Sequence, residues 1–326
     1  MSKPIRVAVV GVGYLGRIHA KIYANMDNVE LVAVVDADQS VAASIADKNN
    51  CQALTCTSGL ESQIDAVSIV VPTSLHLAVS RSFLKAGVHM LLEKPVAPSV
   101  AESAEIVELA RKNGVILLIG HLERFNAGVM KLAELASSPR FIEAHRLGEF
   151  VERATDVDVV TDLMIHDIDI VLSLIHSDLT NISATGTQVI TDHVDIANTR
   201  LEFDNGAVAN VTASRVSRSQ FRRIRVFSHE MYLGLNFSDQ QLEEVKPGKI
   251  KSGSKFPELL HRNIEVTPQL PLNAELAHFI DCVSHNKQPL VSGDDGLLSV
   301  KVAQLVREKI AGSDFSRKPR RGAYYG

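Results

Sequence analysis

The strongest constraint on this chain lies at its start, where Ile5-Arg6-Val7-Ala8-Val9-Val10 runs straight into Gly11-Val12-Gly13-Tyr14-Leu15-Gly16. A nearly continuous β-branched run reads as a strand buried on both faces. Glycines at this spacing allow a tight turn at Gly11, close approach of the backbone to a pyrophosphate at Gly13, and close packing of a helix on the strand at Gly16. The helix that opens there offers N–H groups and the positive end of its dipole. The first third of the chain then repeats the pattern. Apolar runs at 31–35, 66–71, 88–92 and 115–119 alternate with helical stretches at 15–26, 39–49, 75–86 and 100–113. Gly87 and Gly114 follow helices as terminating glycines do, and Ser99 with Glu102 reads as a capping box. Strands alternating with helices predict an α/β domain of the Rossmann type, with a doubly wound parallel sheet.

After Gly120 the rhythm changes. Helical stretches at 127–136 and 159–175 are followed by strand-like runs at 182–190, 197–203, 207–213, 223–227 and 231–237, with helices again at 272–284 and 297–310. Asp204-Asn205-Gly206 is a tight-turn signal between two of the runs. This predicts a C-terminal α+β domain with an open, mainly antiparallel sheet, so the division is expected at residues 1–120 and 121–326. Two domains suit 326 residues, at roughly 100–200 residues per domain. The 34 Lys+Arg against 38 Asp+Glu give a net charge of −4, which argues against nucleic acid as a partner. No apolar run approaches the ~20 residues of a bilayer span. Three cysteines without a Cys-x-x-Cys pair suggest neither a disulfide framework nor a zinc site, and a reducing, cytoplasmic compartment is expected.

Four constellations carry chemistry. Asp36 ends the second apolar run, where a carboxylate bonds the ribose 2′-OH of a dinucleotide and repels a 2′-phosphate, so NAD is favoured over NADP. Glu93-Lys94-Pro95 follows another strand, at the carboxyl edge where open α/β sheets bind ligands. A lysine there, beside a cationic nicotinamide, could share or relay a proton, although by itself it also reads as a surface lysine. Asp162-x-x-x-His166 sets a carboxylate and an imidazole on one face of an otherwise apolar helix, suited to acid–base work. A helix cap or structural ion pair is the plainer alternative, and a metal site is disfavoured because no third ligand is near. Pro72, Thr73 and His76 follow the fourth strand and are expected to shape the loop under the nicotinamide. Softer candidates are the polar cluster Gly120-His121-Leu122-Glu123-Arg124-Phe125-Asn126 and the arginines Arg146, Arg153, Arg215, Arg218, Arg222, Arg223 and Arg225, of which one or two would serve substrate. Arg317-Lys318-Pro319-Arg320-Arg321 reads as a terminal tail or an inter-subunit arm.

Taken in order, these motifs resemble the Gfo/Idh/MocA family of NAD(P)-dependent sugar and polyol dehydrogenases, over nearly the whole chain. The resemblance implies that Lys94, Asp162 and His166 are catalytic. It implies that Gly11, Gly13, Tyr14, Leu15, Gly16, Asp36, Pro72, Thr73, His76 and Glu93 bind NAD. Glu123, Arg124, Asn126 and Arg215 join the three catalytic residues at the substrate. The stretches 120–126, 162–169 and 213–217 are most similar to the nucleotide-sugar branch, whose members oxidise C3 of UDP-N-acetylglucosamine and pass a 3-keto sugar to an aminotransferase. Polyol members more often carry Gly-Gly-x-x-x-Asp before the histidine, whereas here Val159-Val160-Thr161-Asp162 lacks those glycines. The resemblance further implies a homo-oligomer, dimer or tetramer, assembled through the second sheet. A free polyol or aldose substrate, and a non-catalytic dinucleotide-binding regulator, are the alternatives.

Overall fold

A computed structural model describes residues 3–151 and 157–313; Arg153 and the basic segment 317–321 lie outside the described residues. The chain forms two compact units. One draws on residues up to 136, 235–245 and 260–301, the other on 137–234, 246–259 and the chain from 302 onward. The first unit therefore extends past residue 120 and takes back a later part of the chain.

In the first unit the elements are β1 (Ile5–Val10), α1 (Gly16–Tyr23), β2 (Val29–Val35), α2 (Gln39–Asn49), β3 (Gln52–Leu54), β4 (Ala66–Ile69), α3 (His76–Lys85), β5 (His89–Glu93), α4 (Val100–Lys112), β6 (Leu117–Gly120) and α5 (Ala127–Leu135). The strands lie in the order β3-β2-β1-β4-β5-β6, and each neighbouring pair is parallel. This is the doubly wound arrangement, with its order reversing between β1 and β4. Val7, Ala8, Val9, Val67, Ile69, Leu91 and Leu92 are fully buried, as the continuous apolar runs require. Helix ends follow local chemistry. The Asp38 carboxylate accepts from the Ser40 and Val41 N–H groups to open α2, and the Ser99 hydroxyl accepts from the Glu102 N–H to open α4. Only β3, three residues long, was without a sequence signal.

The second unit is built on β7 (Phe141–Leu147), a π turn at Val160–Met164 that runs into α6 (Ile165–Leu174), β8 (Leu179–Thr187), β9 (Ile196–Phe203), β10 (Val208–Ser214) and β11 (Phe221–Ser228). β12 (Met231–Asn236), β13 (Gln241–Ile250) and β14 (Pro257–Ile264) complete its sheet; α7 (Pro271–His285) and the start of α8 (Gly293–Gly312) then return to the first unit. The sheet order is β14-β13-β12-β11-β7-β10-β9-β8. It is mainly antiparallel, but β7 pairs in parallel with β10. The β9–β10 hairpin turns at Gly206, whose φ is +78°. Three strands, β7, β13 and β14, fall outside the expected apolar runs. In β7 the inward register is Ile142, Ala144 and Arg146, so a buried charge breaks the pattern. The run expected at 182–190 instead forms β8 earlier, at Leu179–Thr187. Val189, Ile190 and Thr191 turn away, and their N–H groups donate to the Asp195 carboxylate at 2.8, 2.7 and 2.9 Å. Burial works to raise that carboxyl's pKa, but these donors and the Thr191 hydroxyl hold it well below the usual range.

One group in the first unit's core is out of place by composition. Glu275 on α7 is fully buried, and neither carboxyl oxygen has a hydrogen-bond partner. Burial first, and then the negative charge of Glu93, hold its proton well above the ordinary carboxylate range. The folded chain binds this proton more tightly than the unfolded chain. The group's contribution to stability is therefore full below the reference pKa of 4.5 and is lost as pH rises. Glu275→Gln keeps the neutral shape, so it should melt above the wild type at about pH 8, with the gap closing as pH falls. Thermal unfolding across that range checks this, and a pH-independent gap would contradict it.

Candidate active site

The carboxyl edge of the first sheet gathers the glycine loop and the turns after β2, β4 and β5. At Gly11 φ is +85°, and a Cβ there would lie 2.6 Å from the Val70 carbonyl oxygen. At Gly16 a Cβ would run into the Gly11 carbonyl oxygen. These two glycines are needed so that β1, β4 and α1 can meet. Gly13 differs: nothing lies within 4 Å of a Cβ placed on it, so it faces open space. α1 starts with no side-chain cap and no acidic residue in its first turn, which leaves the helix end suited to an anion. Asp36 reaches across from β2, and its carboxylate accepts from the Val12 N–H at 3.0 Å and the Asp38 N–H at 3.1 Å. An open glycine, an uncapped helix start and a carboxylate at the end of β2 together fit a dinucleotide. Leu15 is the residue before α1 and is half-buried. Tyr14 is 69% exposed, with the Arg17 guanidinium 5.0 Å over its ring.

Glu93 ends β5, and its carboxylate sits over Gly120, where a Cβ would come 2.9 Å from Oε2. The fully buried His19 of α1 lies on the other side, its Nε2 3.4 Å from Glu93 Oε1. Glu93 is thus aimed into the unit. Lys94 follows, half-buried, and the Lys94–Pro95 peptide is cis. Pro72 and Thr73 lead through a single 3₁₀ turn, Thr73–Leu75, into α3. His76 opens α3 and is buried, with both ring nitrogens set against backbone carbonyls. Glu123 and Arg124 sit in the 3₁₀ turn Leu122–Phe125, and the Arg124 guanidinium donates to the Leu290 carbonyl at 3.3 Å. Asn126 is a buried cap: its Oδ1 accepts from the Gly128 N–H at 2.9 Å, and its Nδ2 donates to the Phe237 carbonyl at 3.3 Å. The Asx-type residue at a helix start carried that signal in the sequence.

In the second unit Asp162 and His166 are both half-buried, one in the π turn and the other in the first turn of α6. The wide turn, closed by the Ile165 N–H donating to the Val160 carbonyl, is a feature common at functional sites and has no sequence signature of its own. Its start is organised by Asp158, whose carboxylate accepts from the Val160 and Thr161 N–H groups at 3.0 and 2.9 Å and pairs with Arg307 at 2.8 Å. α6 is tied to β7 by a bidentate ion pair: Arg146 Nε and Nη2 donate to the Asp167 carboxylate at 2.8 and 2.9 Å, both side chains buried. Asp158 and Asp167 were not singled out from the sequence. The Asp167 partner lies 21 residues away on a strand that was itself missed. Arg215 is buried too. Its Nη2 donates to the Val157 carbonyl, and its Nε lies 3.9 Å from Asp195. Among the described residues no group of three or more His, Cys, Asp or Glu could hold a metal.

Residues 5–121 match the family model described as oxidoreductase family, NAD-binding Rossmann fold, of Gfo/Idh/MocA, and residues 133–233 match the Gfo/Idh/MocA C-terminal domain. The chain belongs to the Gfo/Idh/MocA oxidoreductase family. Its cofactor is NAD. A family member from Acidithiobacillus ferrooxidans, UDP-N-acetylglucosamine 3-dehydrogenase, is 34% identical over 93% of this chain and 96% of its own. A solved structure of that enzyme has a TM-score of 0.88 and covers 95% of this chain and 98% of its own, at 33% identity. The scyllo-inositol 2-dehydrogenase of Bacillus subtilis is 28% identical over 93% of each chain.

Arg146→Met strands the buried Asp167 carboxylate and should lower stability by about 3–5 kcal/mol, most of which Arg146→Met with Asp167→Leu recovers; chemical denaturation measures both. Asp36→Ser removes the charge that repels a 2′-phosphate and should raise the NADP-to-NAD ratio of kcat/KM at least about tenfold.

Proposed function

We propose that this chain oxidises a ring hydroxyl, at C3, of a UDP-amino sugar such as UDP-N-acetylglucosamine, and gives a 3-keto sugar nucleotide. The observation that carries the reading is the near full-length match to the Acidithiobacillus enzyme, at 34% identity against 28% for the inositol enzyme. The missing glycines before Asp162 agree with it. NAD, held by the glycine loop and Asp36, would supply the hydride acceptor for the sugar carbon. In this reading His166 takes the hydroxyl proton, and Asp162, one helical turn before it, holds the imidazole in orientation and supports its protonated form. Lys94 polarises the substrate oxygen and relays the proton. The glycine loop and Asp36 are the groups that would hold the dinucleotide, at the same carboxyl edge of the sheet from which Lys94 projects. Glu123 and Arg124 are the polar groups we assign to the sugar nucleotide, while Asn126 and Arg215 serve it by shaping the fold around it. The keto product suits an aminotransferase as the next enzyme. We place the chain in the cytoplasm, as a homo-oligomer joined through the second sheet.

The test mixes the purified protein with NAD and UDP-N-acetylglucosamine, adding 2-oxoglutarate and the partner aminotransferase to draw off product. NADH and a keto or amino sugar nucleotide are expected, with Lys94→Ala and His166→Ala each lowering kcat about 10²–10⁴-fold. Higher kcat/KM for free inositol or glucose in a substrate panel would favour the polyol reading. Unchanged biological activity in both variants would favour a regulator.

A further inference from the structure

His76 is a buried ring held between the two turns that frame Lys94. Its Nδ1 lies 3.1 Å from both the Pro95 and the Val96 carbonyl oxygens, and its Nε2 lies 3.0 Å from the Val71 carbonyl oxygen. Pro95 and Val96 directly follow Lys94, and Val71 directly precedes Pro72 at the switch-point edge. Three carbonyls from two different turns therefore converge on one imidazole. None of them comes from its own helix.

Proline has no N–H, so Pro95 can be tied through its carbonyl but not as a backbone donor. Val96 is fully buried, and the space beside it is closed by Gly296, where a Cβ would lie 2.7 Å from Val96 Cγ2. The turn is thus wedged into the core at Val96 and tied at Pro95 and Val96 by the ring. Burial pulls the ring's pKa below its usual value, against the carbonyls of Val96 and Val71 and the charge of Glu93, which favour the protonated form. A neutral ring has a single N–H and can donate to only one of the two turns, whereas an imidazolium donates to both.

We propose that His76 is a positioning residue: through Nδ1 it holds the Pro95–Val96 turn, and so Lys94, at the distance from the switch-point loop that the reaction needs. It does this without touching the dinucleotide or the substrate. The inference rests on the reading of Lys94 as the reacting lysine. It goes beyond it by assigning the placement of that lysine to a side chain 18 residues earlier in the sequence.

The experiment uses the two halves of the ring separately. Asparagine places an amide N–H near the position of Nδ1, and glutamine near that of Nε2. The full chain is assayed as wild type, His76→Asn, His76→Gln, His76→Ala and Lys94→Ala, on whichever sugar the substrate panel selects, with kcat, KM for NAD and the melting temperature measured for each. His76→Ala and His76→Gln should lose about 30–100-fold in kcat, the scale of a small misplacement of a reacting group. KM for NAD should change less than about twofold, and His76→Asn should recover kcat to within about fivefold. Asn and Gln variants that melt together but differ in kcat separate positioning from folding. Equal losses in Asn and Gln, or wild-type kcat in all three, would overturn the proposal. So would a raised KM for NAD with kcat unchanged, which would mean that the ring contacts the cofactor. Lys94→Ala at wild-type turnover would instead overturn the reading of Lys94. An inactive Lys94→Ala beside unaffected His76 variants would overturn only the role given to His76.

Discussion

Three backbones meet where β1 ends, and the first unit is arranged around that meeting. Gly11 lies against the carbonyl of Val70 after β4, and Gly16 brings the start of α1 against the carbonyl of Gly11. A methyl group at either position cannot be accommodated without moving main chain, and packed interiors do not deform cheaply. Because α1 begins so close to β1, its buried face carries His19 to Glu93, and its uncapped end points into the opening left by Gly13. The close approach therefore sets where a phosphate can bind and, one strand over, where the turn bearing Lys94 begins.

Both units tie polar side chains to main-chain groups, and the second adds a buried ion pair. In the first, polar side chains answer main-chain groups: Asp36 takes the Val12 N–H, Asn126 caps α5, and His76 faces three carbonyls. Such contacts are short-ranged and directional, and they adjust turns. In the second, Asp158 and Asp195 likewise collect main-chain N–H groups, and a buried ion pair is added, Arg146 on Asp167. A buried ion pair adds little net stability over an apolar pair of the same volume, yet it penalises every arrangement that parts the two charges. The pair between β7 and α6 thus selects one seating of the helix that bears Asp162 and His166.

Most of the fold was legible from β-branched runs and glycine punctuation, because both report on the burial and backbone conformation of single elements. The strands at Ile5–Val10 and His89–Glu93, the helix cap at Ser99 and the turn at Gly206 all carry their signal locally. What could not be read depends on partners far along the chain. β7 was hidden because Arg146 occupies an inward position, where it pairs with the Asp167 carboxylate. The end of β8 was misplaced because Val189 and Ile190 look like strand residues until Asp195 collects their N–H groups. The site was legible in its motifs but less so in its roles. His76, Asn126 and Arg215 have the residue types that bind ligands, and the structure gives each of their side chains main-chain partners within the fold.

The first unit draws residues 260–301 back to itself. Leu117 and Ile119 of β6 are closed over by Gly293 and Gly296, and the Ile119 N–H donates to the Val291 carbonyl. On the ribosome, a dinucleotide domain whose last strand is made by residue 120 must therefore wait for about 180 further residues before its core is covered. At ordinary elongation rates of about 5–20 residues per second, the apolar edge of β6 stands open for roughly 10–35 s. The order of the sequence thus makes the N-terminal half a late-finishing domain, whose completion coincides with the emergence of the C-terminal helices.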